Sequence, residues 1–170
     1  MWHLFNGLLQ LCANGSMDHY FHNVVVVMQN YLARAQDTIL LVNFGGKNCV
    51  NMLLEFASYV KGKALDLGQA VYLMLLSTLL EFVKGLEVAL PQIFDMIFDT
   101  YNKEKMPEVH AIVMQTFAVA LYYNAAETCK VLEEKRITSQ ILQTFLQDCL
   151  NKMHQDYEVK KAVVGLCALL

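Results

Sequence analysis

The sequence predicts an all-α protein built as an α-solenoid, a stack of antiparallel helix pairs, and three observations lead there. Apolar residues recur at helical spacing (i, i+3, i+4, i+7) along most of the 170 residues. The polar or glycine-containing breaks between these stretches are short, as expected for antiparallel neighbours. The first helices of successive pairs begin near residues 1, 48, 86 and 138, a loose repeat of roughly 40–50 residues.

Residues 1–13 form the first expected helix and 18–34 the second. The stretch NVVVVMQN (23–30) is rich in β-branched residues, which favour strands. Tyr20, Val24, Met28, Tyr31 and Leu32 nevertheless keep helical spacing, so a helix is expected there. Helices over 48–61 and 66–84 follow, the latter with a stripe of Leu67, Val71, Met74, Leu75, Thr78 and Phe82. A helix over 87–102 carries Pro91 near its start.

The clearest pattern is 107–124. Val109, Ile112, Val113, Thr116, Phe117, Ala120 and Leu121 form one full stripe. Pro107 and Glu108 suit a first turn, because proline lacks a donor the helix would not use and an acid favours the positive helix end. AAETCKVLEEKRI (125–137) reads as an extra short helix or a long turn. A helix over 138–153 is expected to start at a Thr138 or Ser139 cap and to bury Leu142, Phe145, Leu146, Cys149, Leu150 and Met153. The last helix, 157–170, carries Val159, Ala162, Val163, Leu166, Cys167 and Leu170 on its stripe. The four pairs are then approximately 1–34, 48–84, 86–124 and 138–170 of a single segment, with no sheet. Their repeat is comparable with the HEAT/armadillo period.

The closing run AVVGLCALL (162–170) sharpens this expectation. Its second half has no polar side, and a helix apolar all round is buried all round. In a stack of hairpins the next hairpin supplies the cover. The chain is therefore expected to be a fragment of a longer one, and aggregation-prone when isolated.

Composition narrows the function classes. Hydrophobic residues make up 56 % of the chain and charged ones 17 %, against about 45–50 % and 25 % for globular domains. Either the chain spans a membrane or its elements are buried on several sides. A spanning helix needs about 18 consecutive apolar residues. The best run, LGQAVYLMLLSTLLEFV (67–83), is interrupted by Gln69, Ser77, Thr78 and Glu81, and AIVMQTFAVALYY (111–123) holds Gln115. No membrane insertion is expected.

The net charge of −3 and a pI near 5.9 argue against a nucleic-acid binder. Eight acids against five bases in the first hundred residues, and eight of each afterwards, place the acidic excess in the N-terminal part. The five cysteines (Cys12, Cys49, Cys129, Cys149, Cys167) are odd in number and scattered among apolar neighbours, as for reduced thiols used as small hydrophobes.

Catalytic and metal-binding patterns are thin. NFGGKN (43–48) lacks the spacing of a phosphate-binding loop and reads as a turn between helices. Cys12, His19 and His22 supply fewer than the four ligands of a structural zinc site. No enzyme, cofactor or metal is expected. Asp95 and Asp99, at i and i+4, project together. They belong either to an ordinary solvated face, with Asp99 paired to Lys103, or to an acidic patch for a basic ligand. Tyr122–Tyr123–Asn124 reads as helix-end packing.

ALYYN (120–124), followed some 40 residues later by VVGLCALL (163–170), resembles the C-terminal half of the importin-beta (karyopherin-beta) family, most closely its importin seven/eight branch. MDHYFHNVVVVMQNYL (17–32), after MWHLF, is similar to an upstream repeat of the same region. Ala125 and NFGGKN depart from that pattern. The resemblance implies HEAT repeats wound into a right-handed superhelix that shuttles between cytoplasm and nucleus. It implies basic protein cargo, contacts with nuclear-pore FG-repeat proteins, and cargo release by Ran-GTP through N-terminal repeats that this chain does not contain. Asp95 and Asp99 are the candidates for a cargo-facing patch. A helical-repeat scaffold or adaptor unrelated to transport is the alternative, with an integral membrane protein behind it.

Overall fold

The computed structural model describes residues 2–14, 18–35, 38–63, 68–103, 106–149 and 156–169. The protein is all-α, with one two-residue hairpin among the described residues. Its helices are α1 (Trp2–Ala13), α2 (Phe21–Arg34), α3 (Cys49–Lys63), α4 (Gly68–Phe82), α5 (Leu90–Lys103), α6 (Pro107–Tyr123), α7 (Ala125–Glu134), α8 (Thr138–Thr144) and α9 (Asp156–Cys167). The chain divides into two compact units, residues 1–85 and 86–170.

In the first unit α4 is the central helix. Val71, Tyr72, Leu73, Leu75, Leu76, Leu79 and Leu80 are all buried, more than a single stripe could hold. Both α2 and α3 pack on it, and α1 packs on α3. The helical reading of NVVVV is correct: α2 buries Phe21, Val24, Val25, Met28 and Leu32. Tyr20 departs from the expected stripe and is exposed, because it ends a 3-10 turn (Asp18–Tyr20) and stands as the residue before α2. Gln29 of α2 reaches α4, its Nε2 donating to Thr78 Oγ1 at 2.9 Å and to the Met74 carbonyl at 3.4 Å.

The expectation of no sheet is corrected at NFGGKN. Strands β1 (Asn43–Phe44) and β2 (Lys47–Asn48) pair antiparallel, Asn43 opposite Asn48 and Phe44 opposite Lys47. Gly45 and Gly46 both have positive φ, 57° and 85°. Positive φ at both central residues is what a two-residue I′ hairpin turn demands, and glycine meets it without strain.

In the second unit α6 takes the central place. Besides the expected stripe positions Val109, Val113, Thr116, Phe117, Ala120 and Leu121, it buries Ala111, Met114, Ala118 and Val119. Phe117 stacks on Phe94 of α5, ring centroids 5.4 Å apart, and tilts against Phe98 at 5.1 Å. The segment 125–137 contains the expected extra helix, α7. Asn124 separates α6 from α7 and caps the latter, its Oδ1 accepting from Glu127 N at 3.1 Å.

Helix α8 starts at Thr138, but neither Thr138 nor Ser139 caps it: the residue before it is Ile137, with no side-chain cap bond. The turn from α7 decides this. Arg136 sits at φ 58° and Ile137 N donates back to Leu132 O at 3.1 Å, a left-handed closure that leaves no cap position for Thr138. The chain then passes into a π-helical turn, Phe145–Cys149, where the expected core residue Leu146 is exposed. A π turn shifts the register by one residue relative to a 3.6-residue helix. The remainder of the expected 138–153 helix, including Leu150 and Met153, lies outside the described residues.

Helix α9 packs along α6 on a face that keeps Ala162 of the expected stripe but is rotated from the rest of it. Ala162 and Gly165 are its buried residues, while Val159, Val163 and Cys167 are exposed. The reason is close approach: a Cβ built on Gly165 would stand 2.3 Å from the Ala118 carbonyl oxygen and 2.7 Å from its Cα. Small residues let the two backbones meet, and that contact turns the larger side chains outward.

Candidate functional site

The α5 surface carries the residues singled out from the sequence. Leu90, Ile93, Phe94, Met96, Ile97 and Thr100 form its buried face, and Thr100 Oγ1 returns a hydrogen bond to Met96 O at 3.2 Å. The opposite face presents Asp95 and Asp99 one turn apart, as expected from their spacing. Each has an internal partner. Asp99 accepts from Lys103 Nζ at 2.7 and 3.0 Å, the expected one-turn pair. Asp95 pairs with Lys135, at the end of α7, a partner 40 residues away that spacing could not show. Glu87, in the 3-10 turn before α5, accepts from Tyr123 Oη at 3.1 Å, and the same hydroxyl accepts from Leu86 N at 2.6 Å. The tyrosine at the end of α6 thus fastens the start of α5.

The location of the acidic excess changes once the units are known. Residues 1–85 hold five acids (Asp18, Asp37, Glu55, Asp66, Glu81) and five bases (Arg34, Lys47, Lys61, Lys63, Lys84). The remaining eleven acids and eight bases fall in 86–170, so the whole net charge of −3 belongs to the second unit. The N-terminal surplus arose only because Glu87, Asp95 and Asp99 precede residue 100. All three are the internally paired acids just described.

Helices α1 and α9 each expose several apolar side chains. On α1, Leu4 is 74 % and Leu11 49 % exposed, and with Leu8 they share one side of a helix that carries no charged residue. On α9, Tyr157, Val159, Val163 and Val164 are exposed, with Leu169 just beyond the helix. Exposed apolar surface of this kind marks interaction sites more often than isolated residues do.

A cavity of about 230 Å³ opens between α1 and α3, lined by Leu9, Met52, Phe56 and Tyr59. At its rim Lys47 Nζ lies 2.9 Å from both carboxylate oxygens of Glu55. It is smaller than the roughly 300–1,000 Å³ of small-molecule sites.

The imagined Cys12–His19–His22 set is not assembled as a metal site: Cys12 is buried and both histidines are exposed. Among the described residues no group of three or more His, Cys, Asp or Glu could hold a metal ion. Cys12 and Cys49 are buried as expected, Cys129 is half-buried, and Cys167 is exposed because the Gly165 contact turns it outward. Burial pushes the Cys49 thiol from 9.0 up to about 12. Burial, and after it the Glu133 carboxylate, also raises that of Cys129. Both shifts favour the protonated thiol, the reverse of nucleophile activation. No described helix is long and apolar enough to cross a membrane. No family model, curated protein or solved structure matches the chain.

Proposed function

We propose that the chain is a helical-repeat segment that binds protein partners, as part of an importin-type nuclear transport receptor. The observation that carries the repeat reading is a shared stacking rule. In the first unit the second helix of one pair, α2, packs on the second helix of the next, α4. In the second unit α6 packs on α9 in the same sense. Second helix on second helix is how successive hairpins of a HEAT-type solenoid bury a continuous core. The transport role is supported by the resemblance of ALYYN and VVGLCALL to importins. Basic cargo is supported by the sign of the charge on the second unit.

The test is capture of a basic protein probe, core histones, by the chain. Binding through the α5 face should weaken from 0.1 to 1 M salt, as the Debye length falls from about 10 to about 3 Å. It should fall further in Asp95→Lys/Asp99→Lys. Unchanged capture by that variant removes the α5 face from the account. In a receptor that also carries the N-terminal repeats, cargo retention indifferent to Ran-GTP removes the transport role.

A second reading, a scaffold or adaptor outside transport, is favoured by one observation. Glu87, Asp95 and Asp99 are held by internal partners, while Leu4, Leu11 and Val163 face solvent. Such an adaptor binds apolar segments: its binding survives 1 M salt, where charges are screened within about 3 Å, and is lost in Leu4→Glu.

A further inference from the structure

Helix α1 contains one Asn–Gly dipeptide, Asn6–Gly7, and a second, Asn14–Gly15, begins directly after its last residue. Asn–Gly is the dipeptide most prone to cyclise, because glycine has no side chain to hinder attack by its own nitrogen. The two copies have opposite surroundings. Gly7 lies inside α1, where its N–H belongs to the helical hydrogen-bond ladder, and the Asn6 Oδ1 is buried. Asn14 stands outside the helix, which ends at Ala13, and its side chain is exposed to water. Its own N–H closes on Gln10 O at 3.1 Å.

We propose that Asn14 is a site of spontaneous covalent modification, converted to a mixture of aspartate and isoaspartate. The Gly15 amide nitrogen loses its proton to hydroxide and attacks the Asn14 Cγ. A new C–N bond forms and the side-chain nitrogen leaves as ammonia, closing a five-membered succinimide. Water then opens the ring at either carbonyl. Opening at Cγ restores the original backbone and gives aspartate; opening at the backbone carbonyl gives isoaspartate. No oxidant, reductant or enzyme is required.

The product changes the surface of α1. Residues 2–13 carry no charged side chain, and Asn14 borders the same shallow groove as Leu4, Leu8 and Leu11. A carboxylate there is the first charge beside that apolar face. It also stands at the negative end of the helix dipole, where an anion is disfavoured.

The experiment ages the whole folded chain in mildly alkaline buffer and follows Asn6 and Asn14 by tandem mass spectrometry. Trypsin leaves both in one peptide, because Arg34 is the first basic cleavage residue. Isoaspartyl methyltransferase labelling identifies the isoaspartate product. Asn14 should convert faster than Asn6 by on the order of tenfold or more, the protection conferred by a helix that must open before Gly7 can react. In the urea-unfolded chain the two rates should converge. Gly15→Ala should slow Asn14 alone. Equal rates in the folded chain overturn the proposal. So does an Asn14 that stays intact under conditions where the unfolded chain converts, or one indifferent to Gly15→Ala.

Discussion

In residues 1–85, α2 packs on the central helix α4, with one hydrogen-bonded amide, that of Gln29, reaching across. In residues 86–170 the corresponding helices, α6 and α9, meet with the α9 backbone at Gly165 against the Ala118 backbone. The second contact has its own amide, Gln115 Nε2 donating to Glu158 Oε1 at 2.9 Å, but this sits at the start of α9 and does not set the spacing. The two units thus pack a neighbour on their central helix by different routes. Side-chain interdigitation tolerates small volume changes by repacking, whereas a backbone contact has nothing flexible to move. The units differ in charge as well, neutral against −3.

The largest expected effect tests the backbone contact. Gly165→Val places a branched side chain where even a Cβ would stand 2.3 Å from a carbonyl oxygen. It should cost about 3 kcal/mol, the upper end for overpacking, measured by urea unfolding. A stability unchanged from the parent would show that α9 can rotate away, and the contrast between the units would collapse.

Alkaline pH should destabilise the first unit through Cys49. Cys49 lies in the first unit, and its folded-state pKa is raised from 9.0 to about 12. The unfolded chain therefore releases that proton first. The associated stability is complete below pH 9 and is lost as pH rises from there towards about 12. Cys49→Ala should flatten this decline relative to the parent, followed by urea midpoints across that range. Parallel curves for the two proteins would remove Cys49 as the cause.

Removing the amide of the first unit is a smaller perturbation. Gln29→Ala should cost about 0.5–1.5 kcal/mol, the net worth of one such hydrogen bond. The loss stays modest because Thr78 Oγ1 still donates to Met74 O at 2.8 Å. A calorimetric melt showing a loss several times larger would mean that Gln29 sets the helix spacing in the first unit as Gly165 does in the second.

Gly7→Ala closes the series with a gain. Nothing lies within 4 Å of a Cβ at Gly7, so only the glycine's backbone entropy is at stake. Stability should rise by about 0.5–1 kcal/mol. Destabilisation in a thermal melt would mean that α1 needs a glycine there for a close contact, as α9 does at Gly165.

Much of the architecture was legible before any coordinate. The helices from Phe21 and Pro107 follow from apolar spacing, and the one from Leu90 was expected with Pro91 near its start. The hairpin at Gly45–Gly46 carried a readable signal, since two adjacent glycines are a recognised I′ turn sequence. So did Asn124, with Glu127 three residues on, a helix-start pattern read instead as helix-end packing. Asp95 and Asp99 were correctly placed on one face, but the Lys135 partner lies on another helix and has no local signature.

By itself the sequence determined what is local: helix type, most helix limits, and which side of an amphipathic helix such as α2 turns inward. Those follow from interactions within a few residues, through propensity and the period of the apolar pattern. Only the tertiary structure decided how helices without a polar side are oriented. Along α9 every face of the second half is apolar, so hydrophobicity could not choose among them. Backbone proximity chose, at the one residue without a side chain, Gly165, and Val163 and Cys167 were left facing solvent.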